Sequence, residues 1–290
     1  MSWRTVIISS IAKLDYQLGY LIIRTNEKKK IFLDEVGILI VENTSVSLTA
    51  YLLNELTKRK IKVIFCDEKR NPSFEVLPYY GSYNTSLKVK KQIKWKQTIK
   101  DNIWTLIVRE KIQNQSLLLK SLDNKEYLLL EQYINELQPG DTTNREGHAA
   151  KVYFNSLFGK NFSRNDDSSI NAALNYGYSL ILSIFNREIV SNGYLTQLGI
   201  FHDNRFNPYN LSSDLMEPFR PLVDSYIIKM SINKFDTEEK HAIIQLLDQK
   251  LYICNKLERL PNVIRIYTKN VLYALNNEDN SLIEFFKYEL

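Results

Sequence analysis

Cysteine and histidine are scarce in this chain of 290 residues, which contains two cysteines, Cys66 and Cys254, and three histidines. Two cysteines so far apart in sequence exclude a disulfide-rich scaffold and favour a reducing, cytoplasmic environment. A zinc site with four cysteine ligands is impossible, and a site built from several histidines is disfavoured.

Long apolar runs are also missing. The most apolar stretches, such as residues 179–185, are far shorter than the roughly 20 residues that a membrane-spanning helix needs. The first residues lack a long apolar region followed by small residues, so we expect neither a membrane segment nor an export signal. Apolar residues make up 44% of the chain and charged residues 24%, a balance that excludes extensive disorder and allows one or two domains with real cores.

Several catalytic and nucleotide-binding motifs are absent. The sequence contains no Gly-x-Ser-x-Gly, no Gly-x-x-x-x-Gly-Lys, no Gly-x-Gly-x-x-Gly and no His-Glu-x-x-His. Their absence argues against a serine hydrolase, a P-loop nucleotide enzyme and a zincin.

Apolar patterning divides the chain into two parts. Up to residue 78 it predicts short strands rich in Ile, Val, Tyr and Phe, with one helix capped by Thr44 or Ser45. Residues 71 and 72 read as a turn. Residues 79–86 break the pattern and are the predicted linker. The predicted strands cover residues 5–8, 13–17, 20–24, 30–32, 38–41 and 61–65.

Beyond the linker nearly every segment has helical periodicity. One segment, 191–213, does not. A connection of about 20 residues is longer than the usual 4–6 and is often functional, the alternative being a plain surface loop. The pattern therefore predicts an α+β protein with a small N-terminal β domain (1–78) that carries one helix and a larger all-α domain (87–290). The predicted helices cover residues 127–137, 146–158, 170–190, 221–232, 238–257 and 263–275, after an apolar stripe at 95–107.

Glu146 and His202 are the first candidates for chemistry. Glu146 has capping-box spacing from Thr143, but Ala149 and Ala150 follow on the same helix face and leave room beside its carboxylate. His202 lies in the irregular segment, where a lone histidine is most often a structural hydrogen bonder. We expect His148 and His241, the remaining histidines, to be structural or exposed.

Asp214 and Glu217 are further candidates, because they flank a predicted helix N-terminus at Pro218. Helix capping is again the alternative. Two carboxylates and one imidazole can bind a divalent cation and leave positions for water and phosphate. No spacing rule, however, brings Glu146, His202 and Glu217 together.

These candidates fall within four motifs that follow one another along the chain. The motifs are Arg145-Glu146-Gly147 with Ala150, Tyr153 and Phe154; Asn171 to Tyr178; Gly199-x-x-His202; and Asp214-Leu215-x-Glu217-x-Phe219-Arg220. In this order they resemble the integrase-nuclease subunit of CRISPR adaptation, which inserts new spacers into a repeat array. The resemblance covers the whole chain and is strongest to versions from type II systems, including the opening Ser2-Trp3-Arg4.

The resemblance implies a metal-dependent catalytic domain and a β domain that forms the homodimer. Glu146, His202 and Glu217 would be the ligands of Mg²⁺ or Mn²⁺, and Asp214 a possible assistant. The free 3′-hydroxyl of a prespacer would attack a repeat phosphodiester by transesterification. His202 could instead donate or accept a proton. The implied partners are DNA, a small ferredoxin-like adaptation subunit and the effector nuclease of the same system.

Basic residues are concentrated between residues 88 and 125, which hold ten Lys or Arg and three acidic residues, within a chain of net charge +5. This segment fits a track that contacts DNA phosphates, although a solvated helix face has the same composition. A non-catalytic DNA-binding scaffold, with the candidate acids as helix caps, is the alternative function. The candidate DNA contacts are Lys88, Lys91, Lys94, Arg109, Lys111, Arg145, Arg205 and Arg220.

Overall fold

The computed structural model describes residues 4–78 and 82–287. The chain forms two compact units, with the division between Tyr83 and Asn84. Residues 79–81 of the predicted linker lie outside the described residues. Its last two residues, Thr85 and Ser86, belong to the first helix of the second unit.

The first unit consists of two four-stranded sheets and one helix. One sheet has the order β1-β5-β7-β8 and is parallel except for the β7–β8 pair, while the other has the order β4-β3-β2-β6. Apolar residues of both sheets and of helix α1 (Ala50–Lys58) share one buried core. The strands are β1 (Arg4–Ile8), β2 (Lys13–Gln17), β3 (Tyr20–Arg24), β4 (Lys28–Phe32), β5 (Val36–Val41), β6 (Ser47–Leu48), β7 (Lys62–Cys66) and β8 (Pro72–Val76).

Two local predictions for this unit are wrong. Helix α1 is capped by Thr49, whose side chain accepts a hydrogen bond from the Leu52 N–H, because the preceding residues form β6 and pair with β2. The predicted turn at 71 and 72 instead leads into β8, which begins at Pro72. Proline is tolerated at the first residue of an edge strand, and Phe74 of β8 stacks on Phe65 of β7 with ring centroids 4.6 Å apart.

The second unit is mostly helical. Its two long helices, α3 and α6, each carry more buried residues than any other helix of the unit. Helix α3 packs against α4, α5 and α8, and α6 packs against α7, α8, α9 and α10. Among the described helices, none is both long enough and apolar enough to cross a membrane. The helices are α2 (Thr85–Ile93), α3 (Gln97–Ser121), α4 (Tyr127–Asn135), α5 (Arg145–Phe158), α6 (Ser169–Ser191), α7 (Asn210–Met216), α8 (Arg220–Met230), α9 (Thr237–Ile244) and α10 (Leu260–Asn277).

The expectation of an all-α second domain is wrong. The helix predicted over 238–257 ends at Ile244, and an antiparallel hairpin follows, formed by β9 (Lys250–Ile253) and β10 (Lys256–Arg259). Cys254 and Asn255 form its two-residue turn with φ values of 50° and 58°. Positive φ at both turn positions matches the right-handed twist of the two strands. The chain therefore turns back as a hairpin and does not continue as a helix.

The irregular segment between α6 and α7 is held by side-chain amides. Gln92 of α2 donates from Nε2 to the carbonyl oxygens of Leu195 (2.9 Å) and Leu198 (3.0 Å), and its Oε1 accepts from the Leu195 N–H. Asn210 donates to the carbonyl oxygens of Gln197 and Asn204 at 3.1 and 3.0 Å. These bonds replace the backbone pairing of a helix or strand and fix the segment that carries His202.

Candidate active site

Glu146 occupies the first turn of α5, and other residues cap that helix. Asp141 accepts hydrogen bonds from the N–H groups of Arg145 (2.8 Å) and Glu146 (3.0 Å), and Asn144 accepts from the Gly147 N–H at 3.3 Å. Because Asn144 and Asp141 satisfy these donors, the capping role considered for the Glu146 side chain is wrong. Its carboxylate faces α3 instead.

Lys111 of α3 joins the two candidate glutamates. Its Nζ donates both to Oε1 of Glu146 and to Oε2 of Glu217. The Lys111 side chain is 7% exposed, and its ammonium is enclosed by the two carboxylates. Its contact with DNA stays a prediction. Burial alone would lower the pKa of Lys111, but the charges of Glu217 and Glu146 raise it.

Glu217 lies in the short turn that links α7 to α8, and its side chain is 6% exposed. Oε1 accepts from Arg220 Nε at 2.8 Å, so the carboxylate is bound on both sides by cations. Burial opposes ionisation, yet the positive charges of Arg220 and Lys111 outweigh it and lower the pKa of Glu217 to about 2. The group is therefore an anion at neutral pH.

His202 is fixed by Asp214, a fully buried residue inside α7. Asp214 Oδ1 lies 2.6 Å from His202 Nδ1, and the carboxylate also accepts from the N–H groups of Ile200, Phe201 and His202. The capping role considered for Asp214 is therefore wrong, because its acceptors are used by the segment that carries His202. The hydrogen bond from His202 to Asp214 is the main cause of a raised pKa of His202; burial opposes the shift, and the charges of Asp214, Glu217 and Glu146 add to it.

Aromatic side chains complete the wall beside His202. Phe201 stacks on Trp104 of α3 with ring centroids 4.4 Å apart, and the rings of Trp104 and His202 are nearly perpendicular with centroids 5.7 Å apart. A cleft of about 540 Å³ opens on the same side and is lined by the end of α2, the start of α3 and residues 198–203. The His202 ring is 41% exposed, so it is held in place and still accessible.

The structure thus joins Glu146 and Glu217 through Lys111 and fixes His202 on Asp214, and the charges of both glutamates act on the imidazole. Within residues 4–78 and 82–287, no three His, Cys, Asp or Glu side chains stand close enough together to hold a metal ion. The Lys111 ammonium lies between the carboxylates of Glu146 and Glu217. The donor set nevertheless fits a divalent ion. Two carboxylates already converge on one cation, and the Asp214 bond to Nδ1 leaves Nε2 of His202 as the ligand nitrogen.

The predicted DNA contacts differ in their surroundings. Arg220 binds Glu217 at 2.8 Å, and Arg145 binds Glu136 at 2.8 Å. Lys88 is half-buried, with its ammonium 5.9 Å from the Tyr194 ring. The side chains that remain exposed belong to Lys91, Lys94, Arg109 and Arg205.

A buried network behind the centre escaped the sequence analysis. Asp224 of α8 accepts hydrogen bonds from Tyr153 (2.9 Å) and Tyr178, and the Arg220 guanidinium lies 4.7 Å from the Tyr178 ring centroid. Burial raises the pKa of Asp224 to about 6. In the sequence, this network is indicated only by an acidic residue, Asp224, within the apolar stretch 222–228, seven residues after Glu217.

The fold and this site define a two-unit α+β protein with a carboxylate–histidine centre in its helical unit, and comparisons identify its family. Residues 5–251 match the family model described as CRISPR associated protein Cas1. A protein of Neisseria meningitidis serogroup C, named CRISPR-associated endonuclease Cas1, is 37% identical over 263 residues, which cover 89% of this chain and 86% of the relative. The chain therefore belongs to the Cas1 family, and the predicted resemblance to the CRISPR adaptation integrase is confirmed.

Solved structures share the fold at lower identity. A casposase bound to integration product superposes with a TM-score of 0.78 at 18% identity and covers 96% of this chain and 92% of that one. A chain from a Cas6-RT-Cas1–Cas2 complex superposes with a TM-score of 0.74 at 19% identity; the match covers 99% of this chain and 36% of that longer chain.

Proposed function

We propose that this protein is a DNA endonuclease and integrase of CRISPR adaptation that inserts prespacer DNA into a CRISPR repeat. The observation that carries the proposal is the convergence of Glu146 and Glu217 on one cation, together with an imidazole that is fixed by a buried carboxylate and feels the charge of both glutamates. Membership of the Cas1 family supports the same reaction. Against the scaffold alternative, Asn144 rather than Glu146 caps α5, and Asp214 binds the segment that carries His202.

The proposed reaction is a transesterification. The 3′-hydroxyl oxygen of the prespacer forms a bond to a repeat phosphorus as the bond to the departing 3′ oxygen breaks. The attacking hydroxyl loses a proton and the departing oxygen gains one, so neither ATP nor a protein nucleophile is needed.

We propose that Glu146, His202 and Glu217 hold Mg²⁺ or Mn²⁺. When bound, the ion supplies positive charge that stabilises the phosphate oxygens in the transition state. The carboxylates suit these oxygen-preferring ions, and the low pKa of Glu217 keeps that ligand ionised.

The remaining residues of the centre orient the His202 ring and assist proton transfer. Asp214 holds the His202 ring through Nδ1 and directs Nε2 outward, as a ligand or as a carrier of the transferred proton. Trp104 and Phe201 limit the rotation of the ring and exclude water from one side.

We further propose that DNA follows the exposed side chains of Lys91, Lys94, Arg109 and Arg205, through salt-sensitive phosphate contacts. Arg145 and Arg220 would reach DNA only near the centre, where they also bind carboxylates. A homodimer formed by the β unit and a small ferredoxin-like partner complete the assembly. The shared fold with a Cas1–Cas2 complex supports that partner.

A strand-transfer assay tests the proposal. The protein, its small partner subunit, a prespacer with free 3′ ends and a repeat-containing plasmid are mixed with and without Mn²⁺ or Mg²⁺. We expect metal-dependent joining that His202→Ala and Glu217→Gln abolish. Glu126→Gln and His148→Ala, which alter exposed residues of the same unit, serve as matched controls and should join DNA normally. Joining that survives both site substitutions would refute the assigned centre.

A further inference from the structure

The positive charges of Lys111 and Arg220 balance the negative charges of Glu146 and Glu217 without any bound ion. Its side chain is 7% exposed and contacts both Glu146 and Glu217, while Arg220 binds the other oxygen of Glu217 at 2.8 Å. Two cations therefore face two carboxylates. A buried carboxylate without a partner is strongly destabilising, so this compensation keeps the two glutamates together in the helical unit.

The position of Lys111 conflicts with a divalent ion held by the same carboxylates. The ammonium already lies between Glu146 Oε1 and Glu217 Oε2. An additional double positive charge at these oxygens would repel it over a few ångströms in a weakly screened interior. The lysine side chain ends in a point charge on a flexible four-carbon stem, so the ammonium can leave while α3 stays fixed.

We propose that Lys111 is a positioning residue that serves as an internal counter-cation, holding Glu146 and Glu217 together until a divalent ion displaces its ammonium. The inference rests on the proposed function, because it assumes that these carboxylates bind the ion. Lys111 thus stabilises the metal-free protein and, by competing for the same oxygens, weakens metal binding.

The competing interpretation is a permanent ion pair. In that case Lys111 stays between the carboxylates, and its removal damages the site instead of opening it. The two interpretations predict opposite changes in metal affinity. Lys111→Met retains the apolar part of the side chain and removes the charge. Lys111→Arg retains the charge on a rigid guanidinium, which binds carboxylates through two hydrogen bonds.

Calorimetric titration of Mn²⁺ into the full chain tests the proposal, together with thermal unfolding in the absence and presence of saturating Mn²⁺. We expect Lys111→Met to bind Mn²⁺ at least tenfold more tightly than the wild type. Its unfolding midpoint should fall without metal and recover with it. Lys111→Arg should bind Mn²⁺ at least threefold more weakly. Lys120→Met, which alters an exposed lysine of the same helix, should match the wild type.

Unchanged or weaker Mn²⁺ affinity of Lys111→Met, together with loss of binding in Glu217→Gln, would overturn the inference and leave the metal site standing. Binding by Glu217→Gln that equals the wild type would refute the metal site itself, and the inference with it. Should Lys111→Met fail to fold even with Mn²⁺ present, Lys111→Arg decides: affinity equal to or above the wild type overturns the inference.

Discussion

Asp214→Asn removes the charge that ties the His202 segment to α7 while preserving the shape of the side chain. In the wild type, Oδ1 accepts from the N–H and the ring of His202, and Oδ2 accepts from the N–H groups of Ile200 and Phe201. In the variant, one oxygen becomes an NH₂ group. It faces either the N–H groups of Ile200 and Phe201 or the N–H and ring nitrogen of His202, and that ring nitrogen can accept only when the imidazole is neutral. Asp214 is fully buried, so water cannot compensate.

Each donor left without an acceptor costs about 1–3 kcal/mol. Two such donors, the number present while His202 is charged, give an expected loss of about 4 kcal/mol in the free energy of unfolding of the helical unit, a large fraction of the stability of an ordinary domain. Asp214 raises the pKa of His202, so that pKa should fall in the variant. The stability that charged His202 contributes is complete below its unfolded pKa and is lost as pH rises through the raised folded value. The loss caused by Asp214→Asn should therefore be larger at pH 5.5 than at pH 9.

Urea unfolding followed by tryptophan fluorescence measures this loss. Two of the three tryptophans contact the segment, Trp104 through Phe201 and Trp95 through Tyr194, so the emission reports on it. NMR titration of the His202 ring measures the pKa. Asp203→Asn, at an exposed position of the same segment, is the control and should change stability by less than about 0.5 kcal/mol. If Asp214→Asn is as stable as this control and the pKa of His202 does not move, the reasoning about the Asp214–His202 pair is wrong.

Further predictions concern packing, pH and DNA. In Gly177→Ala the new Cβ would lie 2.4 Å from a methyl carbon of Val223, so urea unfolding should show a loss of about 1–3 kcal/mol, which Val223→Ala should relieve; a gain in stability would contradict this packing. Burial raises the pKa of Asp224 from 3.8 to about 6, so ionisation of this carboxyl opposes folding. The stabilisation from the protonated carboxyl is complete below the lower pKa and is lost as the pH rises through the higher one. Asp224→Asn should therefore reduce the fall in unfolding free energy between pH 4 and pH 7 by about 2 kcal/mol, and an unchanged pH profile would count against a buried, titrating carboxyl. Replacing Lys91 and Lys94 by Gln should reduce the slope of log affinity for duplex DNA against log salt by about 2, as measured by fluorescence anisotropy; an equal slope would remove both residues from the DNA track.

The strands of the first unit were largely predictable from local sequence. Strands β2 and β3 begin and end at the predicted residues, because apolar and aromatic residues bounded by short turns specify them locally. Strand β8 was missed, since Pro72 has the signature of a turn and only pairing with β7 makes the segment extended. The hairpin after α9 was missed because residues 251, 253 and 257 continue a plausible helical pattern. The turn at Cys254 and Asn255 decides the outcome.

The candidate site was predictable in its residues but not in its partners. Motif order identified Glu146, His202 and Glu217, although no local pattern brings them together. The partner that joins the two glutamates, Lys111, lies 35 and 106 residues away from them in sequence. It stood among lysines typical of a solvated face, and burial distinguishes it only after α3 packs against α5 and the start of α8. Long-range packing thus determines which charges are functional.

Anomalous diffraction from crystals of the protein soaked in Mn²⁺ tests the central claim most directly. The account predicts an anomalous peak bound by carboxylate oxygens of Glu146 and Glu217 and by Nε2 of His202, with Nδ1 still bonded to Asp214. A peak held by other residues, or none in a protein that performs Mn²⁺-dependent strand transfer in solution, would contradict it.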